Sequence, residues 1–414
     1  MKKYVFAIMA LFAFTFSSCH KDSILPDPTN MDYETFTDQF KTIWNGINTG
    51  YAFWDLDPLD WDAVYEQYLP VFQSFDEQNS ISNRELENAY KGMCGKLMDH
   101  HFYMKVRNLK PTEEDFLKYI TVNPGKDEVE NRDYYHVNNI STGIIANLQN
   151  LESQGVVNEM DIASKFNINI FNTENYVFAL IGGNIAYLHL DCFDLSENLK
   201  SNLSAENDNV DTNIVRVYEK WRDVIKTAPN VKGIILDVRG NGGGNADDFK
   251  YVIAPFIVQP SGFAYTRTKF GTGRYDFLPE QQYVIEPAND SVDTSHLPFV
   301  ILTDVNSASM SEVTALAVQS MPNGYVIGER TFGAFGPLTT VSQDLFYSGT
   351  IGEVNENHYI YMPFQQMRDM NGECLEGIGI IPDEEVLFNE RASEFYDGTY
   401  DNQLMHAIRY IENK

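Results

Sequence analysis

Pro298-Phe299-Val300-Ile301-Leu302-Thr303 is an apolar run of strand type, and Ser307-Ala308-Ser309-Met310-Ser311-Glu312 follows it after three residues. The residues from Glu312 to Met321 then have the composition of a helix, so small hydroxyl residues occupy a strand-to-helix turn. Such a turn exposes a hydroxyl beside the unpaired N–H groups of a helix N-terminus, which favour a developing negative charge. The pattern is typical of a serine nucleophile and also of a plain N-cap, and taken alone it does not separate the two.

A second segment combines a buried strand with a glycine loop. Gly233-Ile234-Ile235-Leu236-Asp237-Val238-Arg239 runs directly into Gly240-Asn241-Gly242-Gly243-Gly244, and a helical pattern is predicted over residues 245–257. Glycines allow backbone N–H groups to approach a ligand closely. A dinucleotide fingerprint would require a glycine at Asn245, and a phosphate loop would require a following Gly-Lys-Ser or Gly-Lys-Thr, so neither nucleotide motif fits.

Together the glycine loop and the serine turn resemble two motifs of the C-terminal processing, or tail-specific, family of serine peptidases. The family sequence Asp-x-Arg-x-Asn-x-Gly-Gly is matched by Asp237, Arg239, Asn241, Gly243 and Gly244, and Ser-Ala-Ser-x-Ser-Glu is matched at 307–312. Two further family sequences, Gly-Glu-x-Thr-Phe-Gly and Gly-x-Gly-Val-x-Pro-Asp, have counterparts at 328–333 and 377–383. The resemblance extends from about Gly182 to Val386 and implies that Ser309, the middle serine, is the nucleophile.

The general base departs from the better-known branch of this family. That branch uses a Ser-Lys dyad with the lysine directly after Thr-Phe-Gly, where this chain has Ala334. The branch that resembles the tricorn core protease uses a serine, a histidine and a glutamate instead. Its Asp-Gly-His-like motif corresponds to Leu97-Met98-Asp99-His100-His101, so His101 aligns with the base and Glu376 with the orienting carboxylate. Imidazole titrates near neutral pH, and an adjacent carboxylate fixes its tautomer and stabilises the imidazolium.

Structural roles for the same residues stay open at this point. A histidine pair near a helix end is typical of a surface or structural site, a loop glutamate is usually solvated, and a glycine-rich loop is often only a tight turn. By the resemblance, however, the N–H of Gly243, or of its neighbour Gly242, joins the N–H of Met310 in binding the oxyanion.

The N-terminus indicates export. Lys2 and Lys3 precede a mostly apolar run over residues 5–16, which is too short for a comfortable membrane span and predicts a signal peptide over residues 1–18. Phe16-Ser17-Ser18-Cys19 resembles a bacterial lipoprotein cleavage site, so Cys19 is the predicted lipid anchor and residues 19–30 its tether. The alternative is ordinary secretion with an unmodified cysteine.

Composition limits the partners. The formal net charge of −29, from 59 acidic and 30 basic residues, argues against nucleic acid as a partner. Beyond Cys19, the widely spaced Cys94, Cys192 and Cys374 form no Cys-x-x-Cys, so neither a disulfide framework nor a zinc site is expected. We therefore expect no metal and no cofactor.

The domain organisation follows the local patterns. We predict a helical N-terminal domain over residues 31–107, and a mixed connecting region over 108–175, where a PDZ domain is expected to be reduced or absent. Strands and helices alternate over 176–414, which indicates an α/β peptidase core domain with a largely parallel sheet. The family resemblance implies a crotonase-like (ClpP-like) spiral of βαβ units in that core.

The resulting hypothesis is a serine endopeptidase that hydrolyses peptides or unfolded proteins through an acyl-enzyme on Ser309. Its expected location is the bacterial cell envelope, lipid-anchored at the outer membrane and facing the periplasm or the cell surface. The alternative is a non-catalytic peptide- or lipid-binding lipoprotein on the same fold, which Ala334 keeps open. The oligomeric state stays open as well.

Overall fold

A computed structural model of the protein describes residues 34–115, 119–136, 140–167, 172–201, 212–337, 350–355 and 358–414. The predicted signal peptide, Cys19 and the tether lie outside these residues. Within the described ranges, none of the helices combines the length and the apolar character that a bilayer crossing requires.

The N-terminal region is helical, as predicted. Its three helices are α1 (Phe36–Gly50), α2 (Trp61–Asp76) and α3 (Asn83–Cys94). Each begins at a side chain that accepts a hydrogen bond from the first turn, namely Thr35, Asp60 and Ser82. Aromatic side chains fill the core between the helices, as where the rings of Phe40 and Phe72 stack with centroids 4.9 Å apart.

A four-stranded sheet joins this helical region to the C-terminal part of the chain. Its strands are β1 (Tyr103–Arg107), β2 (Tyr119–Val122), β11 (Thr350–Asn355) and β12 (His358–Tyr361), in the order β11-β12-β1-β2. Strand β1 pairs antiparallel with β12, with Tyr103 opposite Tyr361. The segment that carries His101 is therefore held, directly before β1, against strands that lie about 250 residues later in the sequence.

A seven-stranded sheet forms the centre of the molecule, in the order β14-β10-β9-β6-β5-β4-β3. Its strands are β3 (Val157–Asn167), β4 (Asn172–Ile181), β5 (Ile185–Leu190), β6 (Gly233–Asp237), β9 (Phe299–Thr303), β10 (Gly324–Gly328) and β14 (Glu384–Glu385). In this order, neighbouring strands from β14 to β5 pair in parallel. At the other edge, β5 pairs antiparallel with β4, and β4 pairs antiparallel with β3. Every residue of β5, β6 and β9 is buried, because helices cover both faces of the sheet.

The helices of the core are α4 (Pro124–Val129), α5 (Ile140–Ser153), α6 (Leu195–Ser201), α7 (Thr212–Thr227), α8 (Phe249–Val252), α9 (Met310–Gln319), α10 (Ala392–Tyr396) and α11 (Asn402–Glu412). Alternate residues of β6 face opposite layers. Ile234 packs in the same apolar cluster as Trp221 of α7, and Ile235 in the same cluster as Ile408 of α11. A smaller antiparallel sheet has the order β13-β7-β8 and comprises β7 (Ser261–Thr268), β8 (Gln281–Ile285) and β13 (Gln365–Arg368). The predicted α/β class with an N-terminal helical region is confirmed.

Two local details differ from the sequence-based expectations. The helix predicted over 245–257 is broken into a 3-10 turn (Ala246–Asp248), α8 and a second 3-10 turn (Ala254–Phe256). Pro255 prevents a continuous α-helix through the second half of this stretch, since it lacks an N–H and its ring clashes with the carbonyl group one turn earlier. The seven-stranded sheet is parallel from β5 to β14, as predicted, but it is antiparallel at its other edge, where β3 from the connecting region pairs with β4 and β4 pairs with β5.

Candidate active site

Ser309 lies at the N-cap of α9, directly after the turn that follows β9. Its φ of 56° is the only positive φ among the non-glycine residues that the structure describes. Such a conformation costs on the order of 1–3 kcal/mol and persists only where neighbouring groups hold it. Here the Ser309 N–H donates to a carboxylate oxygen of Glu312 and to the carbonyl oxygen of Ala334, both at 3.1 Å.

The three serines of the turn have different roles. The hydroxyl of Ser307 donates to the carbonyl oxygen of Val238 at 2.8 Å, and that of Ser311 donates to the carbonyl oxygen of Asn241 at 2.7 Å. Both residues are fully buried, whereas Ser309 is partly exposed. Within the described part of the chain, the Ser309 hydroxyl donates to no acceptor. The geometry thus leaves the middle serine available for chemistry and uses its two neighbours as scaffold.

Asn241 explains why an asparagine stands in the glycine loop. Its side-chain amide donates to the carbonyl oxygen of Leu190 at 2.8 Å, and its side-chain oxygen accepts the N–H of Gly243 at 2.7 Å. Its backbone carbonyl accepts the N–H of Ala308 at 3.1 Å. One residue therefore fixes the end of β5, the glycine loop and the serine turn relative to one another.

Arg239 fixes the same loop to the C-terminal helix. Its guanidinium is fully buried and forms ion pairs with Asp237 at 2.6 Å and with Asp401 at 2.8 Å. These carboxylates raise the pKa of the Arg239 guanidinium against the opposing effect of burial. The Asp-x-Arg pair of the motif is therefore structural in this protein.

The glycine loop lies directly against Ser309. A Cβ atom at Gly243 would lie 2.6 Å from the Cβ atom of Ser309 and 2.9 Å from the N atom of Met310, so only glycine fits there. Because the N–H of Gly243 is already bonded to Asn241, it is not free to bind an oxyanion. The other two predicted donors are the N–H groups of Met310 and Gly242. Neither has an acceptor among the described residues, so both are available to bind an oxyanion.

Glu312 lies in the site, although the sequence motifs gave it no predicted role. Its fully buried carboxylate accepts hydrogen bonds from the Thr331 hydroxyl at 2.5 Å and from the N–H groups of Gly333 and Ala334, both at 2.7 Å, besides that from Ser309. Burial raises the pKa of Glu312 to about 7, and the four donors act in the opposite direction. The Ser-x-x-Glu spacing of a capping box was the available signal.

Glu376 joins the other side of the same loop. It is buried, and one carboxylate oxygen accepts the N–H of His100 at 2.9 Å. The other oxygen accepts the N–H groups of Phe335 at 2.8 Å and Gly336 at 2.6 Å. Residues 333–334 are thus bonded to Glu312 beside Ser309, and residues 335–336 to Glu376 beside the histidine turn. The loop 331–336 therefore connects the predicted nucleophile to the predicted base.

His101 lies in the turn before β1, close to two carboxyl groups. Its N–H donates to Asp99 at 2.8 Å, and one ligand-type atom from each of Asp99, His101 and Glu376 lies within 4.8 Å of the others. Among the described residues, this is the one group of three His, Cys, Asp or Glu side chains close enough to share a metal ion. The expectation that the protein needs no metal stays a prediction.

The electrostatics of this group follow from burial. Burial, and after it the neighbouring His100, lowers the pKa of the His101 imidazole to about 3, so the ring is neutral. Burial also raises the pKa of Glu376 and that of Asp99. Both ring nitrogens of His101 and one oxygen of Asp99 are buried without a hydrogen-bond partner among the described residues.

His100 differs from its neighbour. Its Nδ1 atom lies 2.8 Å from the carbonyl oxygen of Phe332, and its Nε2 atom lies 3.3 Å from a carboxylate oxygen of Glu128. Both nitrogens are therefore engaged in structural contacts. Of the adjacent histidines, only His101 has free ring nitrogens near Glu376.

Ala334 occupies the position of the family lysine and is buried. Its N–H donates to Glu312 and its carbonyl oxygen accepts the N–H of Ser309, so its backbone supports the turn although its side chain has no acid–base chemistry. The departure from the Ser-Lys pattern is therefore a change of side chain within an intact backbone arrangement.

Comparisons with known proteins give the family and the fold. The chloroplastic C-terminal processing peptidase of Tetradesmus obliquus is 33% identical over 113 residues, which are 27% of this chain and 21% of that protein. The matched part thus spans about a fifth of that relative. A protein of Parabacteroides merdae ATCC 43184 described as a candidate peptidase aligns with a TM-score of 0.61 at 20% identity, over 91% of this chain and 96% of that chain. Mature CPAF aligns with a TM-score of 0.58 at 10% identity, over 92% of this chain and 98% of that chain.

The two structural likenesses show that the fold is shared over nearly the whole chain. The family model described as Peptidase family S41 matches residues 184–386, which contain the glycine loop, the serine turn and Glu376. The resemblance seen in the sequence motifs is thereby confirmed, and residues 184–386 carry a peptidase family S41 domain.

Proposed function

We propose that the protein is a serine endopeptidase that cleaves peptides or unfolded proteins through an acyl-enzyme on Ser309. One observation carries the proposal: of the three serines of the turn, only Ser309 has a hydroxyl that donates to no acceptor among the described residues, and its φ of 56° holds that hydroxyl at the N-terminus of α9. A purely structural N-cap has no need of this costly conformation.

The chemistry follows from the groups around Ser309. His101, neutral because it is buried, takes the hydroxyl proton as the oxygen attacks the substrate carbonyl carbon. The N–H groups of Met310 and Gly242 donate to the oxyanion of the tetrahedral intermediate. His101 then gives the proton to the leaving amine, and water attacks the resulting ester with His101 again as the base. Glu376 orients the imidazole and stabilises its protonated form.

The similarity to the chloroplastic C-terminal processing peptidase supports a substrate class. A C-terminal processing peptidase removes residues from the end of a protein chain, and its similarity to this chain favours extended or unfolded segments as substrates. Folded proteins rarely present such segments, so unfolded chains or free peptides fit this class best.

The location is the cell envelope in this proposal. The N-terminal sequence supports it, since a short apolar run ends at Phe16-Ser17-Ser18-Cys19. Lipidation of Cys19 would hold the enzyme at the outer membrane through the tether 19–30. The expected membrane contact is thus made by the anchor.

A fluorophosphonate probe tests the activity. It reacts with an activated serine, so mass spectrometry of the labelled protein should find the phosphonate on Ser309 and on neither Ser307 nor Ser311. Ser320→Ala is the matched control, because Ser320 is an exposed hydroxyl on the turn after α9 and its loss should leave labelling unchanged. Labelling of a residue other than Ser309 would refute the assignment.

A non-catalytic binding protein on the same fold is the second candidate. The buried Ala334 in place of the family lysine favours it, because a chain that had lost catalysis would be free to lose that base. This candidate predicts peptide or lipid binding without labelling of Ser309 and without hydrolysis. The fluorophosphonate experiment therefore separates the two candidates.

A further inference from the structure

Asp99 is buried in an arrangement that the proposed mechanism leaves unexplained. It is fully buried, and one of its carboxyl oxygens accepts the N–H of His101 at 2.8 Å. The other oxygen is buried and has no hydrogen-bond partner among the described residues. Buried acceptors are nearly always bonded, so this oxygen requires an explanation.

Glu376 is the neighbour that supplies one. Its carboxyl group lies within 4.8 Å of Asp99 and accepts three backbone N–H groups, from His100, Phe335 and Gly336. Within the described residues, no lysine or arginine forms an ion pair with either carboxyl group. Two anionic carboxylates so close together in a buried site repel each other strongly, and one of them takes up a proton.

The surroundings decide which carboxyl group is protonated. Three N–H donors stabilise a negative charge on Glu376, whereas the side chain of Asp99 has the N–H of His101 at 2.8 Å and that of Phe102 as a second donor. A proton on the orphaned oxygen of Asp99 would also turn that oxygen into a donor aimed at the Glu376 carboxylate. The same proton thus removes the repulsion and satisfies the unpartnered atom.

Other titratable groups facing the pair do not supply a competing positive charge. They are Tyr51, Asp57, His100, His101, Glu312 and Cys374. Asp57 accepts the hydroxyl of Tyr51 at 2.8 Å and the N–H of Met98 at 2.9 Å, so it is bonded away from the pair. The two imidazoles are kept neutral by burial, which lowers the pKa of each.

We propose that Asp99 is a positioning residue that holds the proton shared with Glu376 and donates it in a hydrogen bond, leaving Glu376 as the single anion beside His101. This inference rests on the proposed function for its kinetic consequences. A pair with one negative charge stabilises the imidazolium, and the hydrogen bond keeps the Glu376 carboxylate in place.

Kinetics provide the first test. Asp99→Asn keeps a neutral donor of the same shape, so kcat near neutral pH should stay within about threefold of the parent, as expected when one hydrogen bond replaces another. Asp99→Ala removes the donor and should lower kcat about tenfold with little change in KM. Glu376→Gln removes the anion and should lose more than either. If Asp99→Asn loses as much as Glu376→Gln, the charge lies on Asp99 and the proposal is overturned.

Infrared spectroscopy provides a test that needs no activity. Ser309→Ala protein near neutral pH should show the C=O stretch of a protonated carboxyl group, and that band should disappear when Asp99→Asn is added. Asp57→Asn is the matched control, since Asp57 is a buried aspartate near the same turn, and it should leave the band in place. Because the pKa of Glu312 is raised to about 7, a glutamic acid band is also expected near neutral pH, so the side-chain carboxyl groups of aspartate are labelled with ¹³C and only the shifted component is compared. An undiminished shifted component in Ser309→Ala/Asp99→Asn would overturn the proposal, whether or not the protein proves to be a peptidase.

The double variant is judged only where circular dichroism shows that it is folded. If it does not fold, the Ser309→Ala protein still decides the question, because ¹³C in the aspartate side chains alone shifts a band of Asp99 and leaves a band of Glu312 or Glu376 in place. Absence of any protonated carboxyl band near neutral pH would contradict a proton on Asp99.

Discussion

The serine side and the histidine side of the site are built differently. Around Ser309, the neighbouring hydroxyls, the Glu312 carboxylate and the backbone of Ala334 all have hydrogen-bond partners. Around His101, both ring nitrogens and one oxygen of Asp99 lack partners among the described residues. The proposed nucleophile is therefore held in place by the resting fold, whereas the proposed base has ring nitrogens left to bond with the serine proton and the substrate.

Replacing the proposed nucleophile on the serine side should cause the largest loss of activity. Ser309→Ala removes one oxygen that donates to no described group, so we expect peptide hydrolysis to fall by about 10³-fold or more while the fold survives. Ser320→Ala should hydrolyse the same fluorogenic peptide at the parent rate. Circular dichroism and thermal melting establish that the variants are folded. Undiminished turnover in folded Ser309→Ala would remove the serine from the mechanism.

The adjacent histidines allow the base to be tested against a matched neighbour. His101→Ala should lower kcat by about 10²- to 10⁴-fold, because general base catalysis is lost. His100→Ala should act mainly on the melting temperature, which should fall, and only weakly on kcat, since both His100 nitrogens contact structural partners. Steady-state kinetics and melting curves measure both quantities. A greater rate loss in His100→Ala than in His101→Ala would reverse the assignment of the base.

The pH dependence of kcat/KM should report the titration of the carboxyl pair Asp99 and Glu376, and not that of the His101 imidazole. Catalysis requires neutral His101 and anionic Glu376. Burial lowers the pKa of His101 to about 3, so as the pH falls the carboxyl pair gains a proton before the imidazole does. We expect kcat/KM to fall on acidification with an apparent pKa above that of an ordinary glutamate. Glu376→Gln should lower kcat about tenfold to a hundredfold, less than His101→Ala, because Glu376 transfers no proton.

The control for the pH profile is Glu376→Gln, with kcat/KM measured over the full pH range. In folded Glu376→Gln the acid limb should disappear from the residual activity. A limb that stays at the same pH would assign it to His101 and contradict the effect of burial on the imidazole.

The support of the serine side should appear mainly as stability. One oxygen of Glu312 accepts from Thr331 and Gly333, and the other accepts from Ser309 and Ala334. Glu312→Gln replaces one of these oxygens with an NH₂ group, so two of the four donors lose their acceptor. Each buried donor left without an acceptor costs about 1–3 kcal/mol, so the free energy of unfolding should fall by at least about 2 kcal/mol. Urea denaturation measures the change. The exposed Glu373→Gln should show none, and an equally stable Glu312→Gln would mean that the turn does not depend on this carboxylate.

The anchor should have the smallest effect on catalysis. Cys19→Ser should move the protein from the membrane fraction to the soluble fraction or block its processing, with kcat/KM unchanged, because residues 1–30 precede the domain that carries the site. Mass spectrometry of the native N-terminus should find acyl chains on Cys19. An unmodified N-terminus in the soluble envelope fraction would contradict lipid anchoring.

Local sequence patterns identified much of the serine side. The apolar run 298–303 and the serine turn predicted β9, α9 and the position of Ser309 between them, and the alternation of elements predicted the α/β class. These features depend on residues within one strand or one helical turn of each other. Short-range steric and hydrogen-bonding preferences are therefore sufficient to specify them.

The histidine side was decided by tertiary contacts. Glu376 and His100 are 276 positions apart, and the hydrogen bond between them joins Glu376 to the turn that carries His101. Neither the engagement of His100 with Phe332 nor the orphaned oxygen of Asp99 follows from the motif Asp-His-His. The charge state of a carboxyl group depends on its desolvation and on the donors that surround it, and both are fixed only when distant segments pack together.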